Sequence, residues 1–388
     1  MSITTAPKTK PDIRVITRLV PPSGNLVQGQ SELPIPPILA DAAAKHIAAN
    51  HNHYAPAEGV SALRQALAKK ITAFNHVPVD AAAQPLELLI THGGTGALVA
   101  IGHIYLKGHS CLLFEPYYPF HRRITEDLGG KAEVMPLEGP SLTLDPDRLR
   151  ATCRELKNRK SFPLRAIVVC SPANPTGKVF TRQELQFIAD VCHEFDLLCI
   201  SDEVYEHYVI GDREHVSIAT LPGMWERTIT VNSFSKSWNV SGWRIGYAYG
   251  AGKIVAPLNA VTNVFYVNVA TPLQNGLADV LGESAEQDRA RDQLYRRKHA
   301  WVSRELTDLG FSIYDSGSAF YLWARIPREY SDAQPFNQML LEKHSVAAVP
   351  GAAFADSDSW DNYMRLCIAR EDEKLATCLE RLRSALRS

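Results

Sequence analysis

The sequence predicts an α/β protein with a mainly parallel sheet, and three features carry that expectation. Short apolar runs recur at residues 86–91, 111–114, 164–170, 197–201, 228–231 and 245–249, with helical stretches between them. Such alternation is what strands joined by crossover helices require. Between two of the runs, Thr181-Arg182-Gln183-Glu184 spells a capping box, and Leu185, Ile188, Ala189 and Cys192 follow at helical spacing. Residues 286–309 are highly charged with apolar positions at helical intervals, which predicts a long exposed helix leading to a smaller C-terminal domain.

Composition sets the outer bounds. With 388 residues, 45% hydrophobic and 21% charged, the chain is globular and long enough for about two or three domains. A net charge of -1, from 41 basic and 42 acidic residues, gives no field that would draw nucleic acid or an anionic membrane. Small molecules are the expected ligands. Residues 1–12 are polar, hold Pro7 and Pro11, and lack the apolar core of a signal peptide. No apolar run approaches the ~20 residues that span a bilayer. Seven scattered cysteines form no C-x-x-C pair and mostly sit in apolar runs, which predicts a cytoplasmic chain without disulfides or structural zinc. Pro34, Pro36 and Pro37 mark an extended segment before a helix near Ile38, so an N-terminal arm is expected outside the main sheet domain.

The chemistry-bearing motifs follow the apolar runs in order. Gly93-Gly94-Thr95-Gly96 closes the first run and opens a helix, where bare N–H groups and the Thr95 hydroxyl suit a phosphate. Asn174-Pro175-Thr176-Gly177 specifies a tight turn after the third run and presents the Asn174 amide at the sheet's carboxyl edge. Asp202 ends the fourth run, where a carboxylate is costly to desolvate unless a cation meets it; capping the next turn is its ordinary role. Lys236, in Ser233-Phe234-Ser235-Lys236, lies on a loop at the carboxyl end of the fifth run, where α/β sheets place ligands. A lysine that forms an imine must be deprotonated, through desolvation or a cationic neighbour such as Arg244. Alone, each motif has a bland reading: a solvated lysine, a capping aspartate, a common glycine turn.

Rival motifs are incomplete. No full G-x-G-x-x-G occurs, Gly252-Lys253 lacks the P-loop frame, and His92-Gly93-Gly94 has no G-x-S-x-G elbow to serve. His51 and His53 show no H-E-x-x-H spacing, so no metal site is expected.

In this order and at these intervals, the motifs resemble the class I/II aminotransferase family of fold-type I pyridoxal-phosphate enzymes, over about residues 25–383. The resemblance implies a large domain with a mainly parallel mixed sheet flanked by helices, plus a smaller α/β domain made from both chain termini. The corresponding division is 1–49 for the arm and part of the small domain, 50–285 for the large cofactor domain and 286–388 for the C-terminal small domain. It implies that Lys236 forms the Schiff base with pyridoxal 5'-phosphate and then shuttles a proton as base and acid. Asp202 would keep the pyridine nitrogen protonated, Asn174 and Tyr205 would meet the phenolate oxygen, and Tyr118 would stack on the ring, with Tyr117 as the alternative. Gly94, Thr95, Ser233 and Arg244 would hold the phosphate, joined by Tyr54 from the partner of a homodimer. Arg365 would grip the substrate α-carboxylate, although without the family it reads as an exposed charge on a strand.

Substrate signals are thinner. The string Val27-Gln28-Gly29-Gln30-Ser31-Glu32 keeps the family's pocket glycine, Gly29, but has Ser31-Glu32 where proline and aspartate are usual. Lys253 is the sole basic residue between Arg244 and Arg289, so a dicarboxylate-specific arginine is missing from that segment. The string Leu221-Pro222-Gly223-Met224-Trp225-Glu226 is similar to kynurenine, glutamine and methionine transaminases. The expectation is ping-pong transfer from a neutral or aromatic L-amino acid to a 2-oxo acid. The alternatives are a lyase, cyclase or oxidase on the same site, and an arginine-like substrate met by Glu32. A ligand-sensing regulator would need a basic DNA-binding domain that the sequence before the pattern does not resemble.

Overall fold

The computed structural model describes residues 10–210, 213–283, 285–314 and 316–387, so most of the polar stretch 1–12 lies outside the described residues. Among these, seven strands form one sheet: β1 (Leu88–His92), β2 (Ser110–Glu115), β3 (Lys131–Pro136), β4 (Leu164–Cys170), β5 (Leu198–Asp202), β6 (Thr228–Ser233) and β7 (Ile245–Tyr249). The order is β1-β7-β6-β5-β4-β2-β3, with β7 antiparallel to both neighbours and the other pairs parallel. Six strands coincide with the six apolar runs to within two residues at either end. The seventh, β3, is an edge strand whose Lys131 and Glu133 break the apolar pattern, because one side of an edge strand meets water.

The inner strands are apolar on both faces because helices cover both. The helix Arg182–Glu194 buries Leu185, Ile188 and Cys192 on one face, against Ile167 and Cys199. Its capping box is formed as expected: the Thr181 hydroxyl accepts from the Glu184 N–H at 3.2 Å and Glu184 accepts from the Thr181 N–H at 2.9 Å. The opposite face receives Ala97 and Ile101 of the helix Gly93–Ile101, against Val168 and Val231.

The long helix runs from Ala285 to Asp308 and leads to a second, antiparallel sheet. Its strands are β8 (Ser312–Tyr314), β9 (Tyr321–Arg325), β10 (Val349–Pro350) and β11 (Tyr363–Cys367), in the order β10-β11-β9-β8. A segment from early in the chain joins it, where Asn25 bridges Ala347 and the Cys367 N–H donates to the Leu26 carbonyl at 2.9 Å. The first helix, α1 (Ile13–Leu19), is capped by Asp12, which accepts from the Arg14 N–H at 2.7 Å. The helix Pro37–Ala48 packs on the large sheet rather than outside it, because Leu39 is buried with Leu63, Leu88, Ile90 and Tyr247. No described helix is long and apolar enough to cross a membrane. All seven cysteines are free thiols, six of them buried.

Candidate active site

The carboxyl ends of the parallel strands converge on one cleft, whose empty space counted out to solvent is about 1010 Å³. Gly94 and Thr95 enter it after β1, Tyr118 after β2, Asn174 after β4, Asp202 and Tyr205 at the end of β5, and Ser233, Lys236 and Arg244 from the β6–β7 connection. Gly29 and Arg365 face it from the second sheet's side. Of the twelve residues singled out in the sequence, Tyr54 alone lies elsewhere: it is 86% exposed on the surface.

One corner gathers donors for an anion. Gly93 sits at φ +66°, and a Cβ there would stand 2.6 Å from Arg244 Nη2, so only glycine lets the guanidinium pass beside the helix N-terminus. Arg244 is itself left-handed at φ +55° and donates to the Ser241 carbonyl at 2.9 Å. Ser233 Oγ lies 2.8 Å from Ser235 Oγ, which adds a hydroxyl the sequence reading had not included. Backbone N–H groups at a helix start, hydroxyls and a guanidinium are a donor set for a phosphate dianion.

Lys236 stands in a one-turn helix, Phe234–Ser237, rather than in an open loop. Its Nζ donates to the Gly29 carbonyl at 2.7 Å. Desolvation in the cleft lowers its amine to about 8, with the Arg365 and Arg244 guanidiniums acting in the same direction. Asp202 is 4% exposed; its Oδ2 meets His121 Nε2 at 2.7 Å and its Oδ1 accepts from the Val204 N–H at 3.3 Å. The turn-capping contact and the histidine contact therefore fall on separate oxygens. His121 carries no sequence signal linking it to Asp202; its position in the first turn of the helix Pro119–Asp127 brings it there.

Arg365 is 2% exposed on β11, which corrects its reading as an exposed strand charge: the ring of Tyr321 covers its guanidinium at 4.5 Å and that of Phe354 at 5.0 Å. It donates to Asn174 Oδ1 at 2.8 Å, while its Nε is buried without a partner. Tyr205 and Tyr321 share a hydrogen bond of 2.7 Å between hydroxyls, and burial holds both well above the ordinary phenol range. Both hydroxyls therefore stay protonated as donors. A Cβ at Gly29 would meet the Tyr321 hydroxyl at 2.1 Å, so this glycine exists to admit the tyrosine.

Three further placements matter. Of the two adjacent tyrosines, Tyr118 lines the cleft, while the Tyr117 hydroxyl donates to Asp356 at 2.7 Å. Glu32 is bound by Lys374 at 2.5 Å with Arg370 at 3.5 Å and does not line the cleft, so it offers no carboxylate there to an arginine-like substrate. Ile13 and Arg14 of α1 do line it, beside Leu98 and Phe120, and nothing in their sequence context announces this.

These groups fit pyridoxal 5'-phosphate: a corner of anion donors, a buried carboxylate for a pyridine nitrogen, a lysine with a lowered amine, and a buried guanidinium with one unpartnered nitrogen. Residues 23–382 match the family model for aminotransferase class I and II. The chain is 31% identical to an aspartate aminotransferase of Pyrococcus abyssi, covering 92% of this chain and 90% of that one. It is 30% identical to the methionine aminotransferase of Escherichia coli, covering 92% and 91%. Among solved structures, N-succinyldiaminopimelate aminotransferase of Mycobacterium tuberculosis superposes with a TM-score of 0.88 at 32% identity, over 96% of this chain and 95% of that one.

Proposed function

The chain belongs to the class I and II aminotransferases, and from that premise we propose that it moves the amino group of a neutral or aromatic L-amino acid to a 2-oxo acid in two ping-pong half-reactions. Enzymes of this family depend on pyridoxal 5'-phosphate, which when bound supplies a carbonyl that condenses with amines and a protonated ring that withdraws electrons. The observation that carries the proposal is Lys236, with an amine lowered to about 8, in the same cleft as the buried Arg365.

In this reading the phosphate is held by Gly94, Thr95, Ser233, Ser235 and Arg244. Asp202 receives the pyridine N–H, Asn174 and Tyr205 meet the phenolic oxygen, and Tyr118 covers the ring face. Arg365 forks the substrate α-carboxylate and so orients the Cα–H toward Lys236 Nζ, which takes that proton as base and returns it as acid. Ile13, Leu98 and Phe120 line the same cleft and favour a neutral or aromatic side chain. Asp202, the one acid in the lining, is already engaged by His121, so a cationic side chain finds no partner.

The enzyme acts as a homodimer in the cytoplasm in this proposal, Tyr54 reaching the partner's phosphate corner. Its 86% exposure, with Val264 at 83% and Phe265 at 61%, supports a surface that a second copy covers. The 1–49, 50–285 and 286–388 division is proposed with it.

The test is one equivalent of amino acid per site without any oxo acid. The aldehyde-form colour should bleach and one 2-oxo acid appear per site, with no free ammonia. Ammonia with pyruvate would instead indicate a lyase, and peroxide in air an oxidase.

A further inference from the structure

The cleft is lined by four cations, Arg14, Lys236, Arg244 and Arg365, and by a single carboxylate, Asp202. On the aminotransferase reading, on which this inference rests, three of the cations have a counterpart: Arg244 the phosphate, Arg365 the α-carboxylate, and Lys236 the carbonyl of the cofactor. Arg14 has none. Among the described residues no carboxylate pairs with its guanidinium, which lies over the Phe120 ring at 5.1 Å. The residue is solvent-exposed at the mouth of the cleft, but the helix that carries it is not a loose arm. Asp12 caps the start of α1, and Lys10 is tied to Asp356 and, at 2.8 Å, to the Tyr117 hydroxyl, so α1 is fastened at its N-terminal side. Arg122 joins the same Asp356 carboxylate, which leaves Arg14 as the cation of this rim without an anion.

We propose that Arg14 receives the second carboxylate of a dicarboxylic member of the substrate pair, one of the glutamate and 2-oxoglutarate class. A molecule with two carboxylates places the first on Arg365 and the second on Arg14, with the Phe120 ring beneath the guanidinium holding its plane. The same ring, with Leu98 and Ile13, offers an apolar face to the neutral member of the pair. One cleft thereby accepts both halves of a ping-pong exchange. The missing basic residue between Arg244 and Arg289 is replaced, in this view, by a cation from the other end of the chain.

The experiment is calorimetric titration of the holoenzyme with two unreactive ligands: glutarate, which has two carboxylates, and 3-phenylpropionate, which has one carboxylate and a ring. Arg14→Gln should weaken glutarate about tenfold or more relative to 3-phenylpropionate, the scale of one charge-assisted contact. Arg14→Lys should recover part of the loss, since the charge remains and the fork does not. Arg365→Lys should weaken both ligands. Failure of glutarate to bind wild type, an equal loss of both ligands in Arg14→Gln, or no loss of glutarate overturns the assignment. The bleaching test with a neutral amino acid is independent of this ratio, so the aminotransferase reading and the role of Arg14 fail separately.

Discussion

His121 Nε2 and Asp202 Oδ2 meet at 2.7 Å between two residues that are 5% and 4% exposed. The imidazole satisfies one carboxylate oxygen from behind while the Val204 N–H satisfies the other at 3.3 Å, so the carboxylate is held in one orientation at the end of β5. A buried carboxylate with a missing partner loses about 1–3 kcal/mol. His121 is thus a positioning residue for the group that faces the cleft.

Replacing His121 with Phe keeps an aromatic ring of similar bulk and removes the hydrogen bond. Cofactor affinity should fall roughly tenfold or more, read by spectral titration of the apoenzyme, and the pH dependence of the bound cofactor's absorbance should shift. A purely structural role would lower melting temperature and leave both readouts in place, as would a His121 that only packs against Tyr118.

The lowered amine of Lys236 sets a pH dependence. Only the neutral amine attacks a carbonyl, and its fraction grows as pH rises through about 8 rather than through the ordinary 10.5. The rate at which apoenzyme develops the cofactor's visible absorbance should therefore climb to pH ~8 and level off above it. A rate still climbing at pH ~10 would mean that desolvation of the cleft does not reach Lys236.

Gly29→Ala introduces a methyl where the Tyr321 hydroxyl stands, 2.1 Å from the ideal Cβ. Tyr321 is 1% exposed and bonded to Tyr205, so it has little room to retreat. Overpacking of this kind costs about 1–3 kcal/mol, and the Gly29 carbonyl that accepts from Lys236 must move with it. The variant should show a lowered melting temperature together with a raised KM for the amino donor. A normal KM with full stability would mean that the glycine is dispensable.

The strands and the strand-end motifs are legible in the sequence because each is local: an apolar run, a glycine turn, a capping aspartate, a lysine three residues after Ser233. What is not legible depends on distant packing. His121 and Asp202 are 81 positions apart, and no spacing rule joins them. Arg365 reads as exposed because β11 is a short strand of mixed character, yet the Tyr321 and Phe354 rings enclose it. Arg14 sits on a seven-residue helix with no buried residue, so periodicity gives no hint of the face it turns to the cleft. β3, the strand of the large sheet outside the six runs, escapes for a related reason, since it is an edge strand and keeps Lys131 and Glu133.

Beneath the cleft, Glu206 forms a buried pair whose pH behaviour has a definite sign. Its carboxylate, 3% exposed, takes hydrogen bonds from Lys70 and, at 2.6 Å, from Asn75 Nδ2, and Asn75 Oδ1 in turn accepts from Lys70 at 3.0 Å. Burial alone would raise the carboxyl, but Lys70 and His207 outweigh it and hold it well below the ordinary 4.5. A depressed folded-state value means stabilisation that is fully present above the unfolded value and is lost as pH falls through the folded one. Glu206→Gln leaves Lys70 largely buried without its anion, which should destabilise the fold by about 3 kcal/mol at neutral pH. In urea unfolding at a series of pH values, the gap between wild type and variant should be full at pH ~7 and still present at pH ~4.5. It should close in more acidic solution, as wild-type Glu206 takes up its proton and comes to resemble the amide. A gap that stays constant into strong acid, or none at neutral pH, would mean that the ion pair adds nothing to the connection between the helix Ser61–Lys70 and the turn after β5.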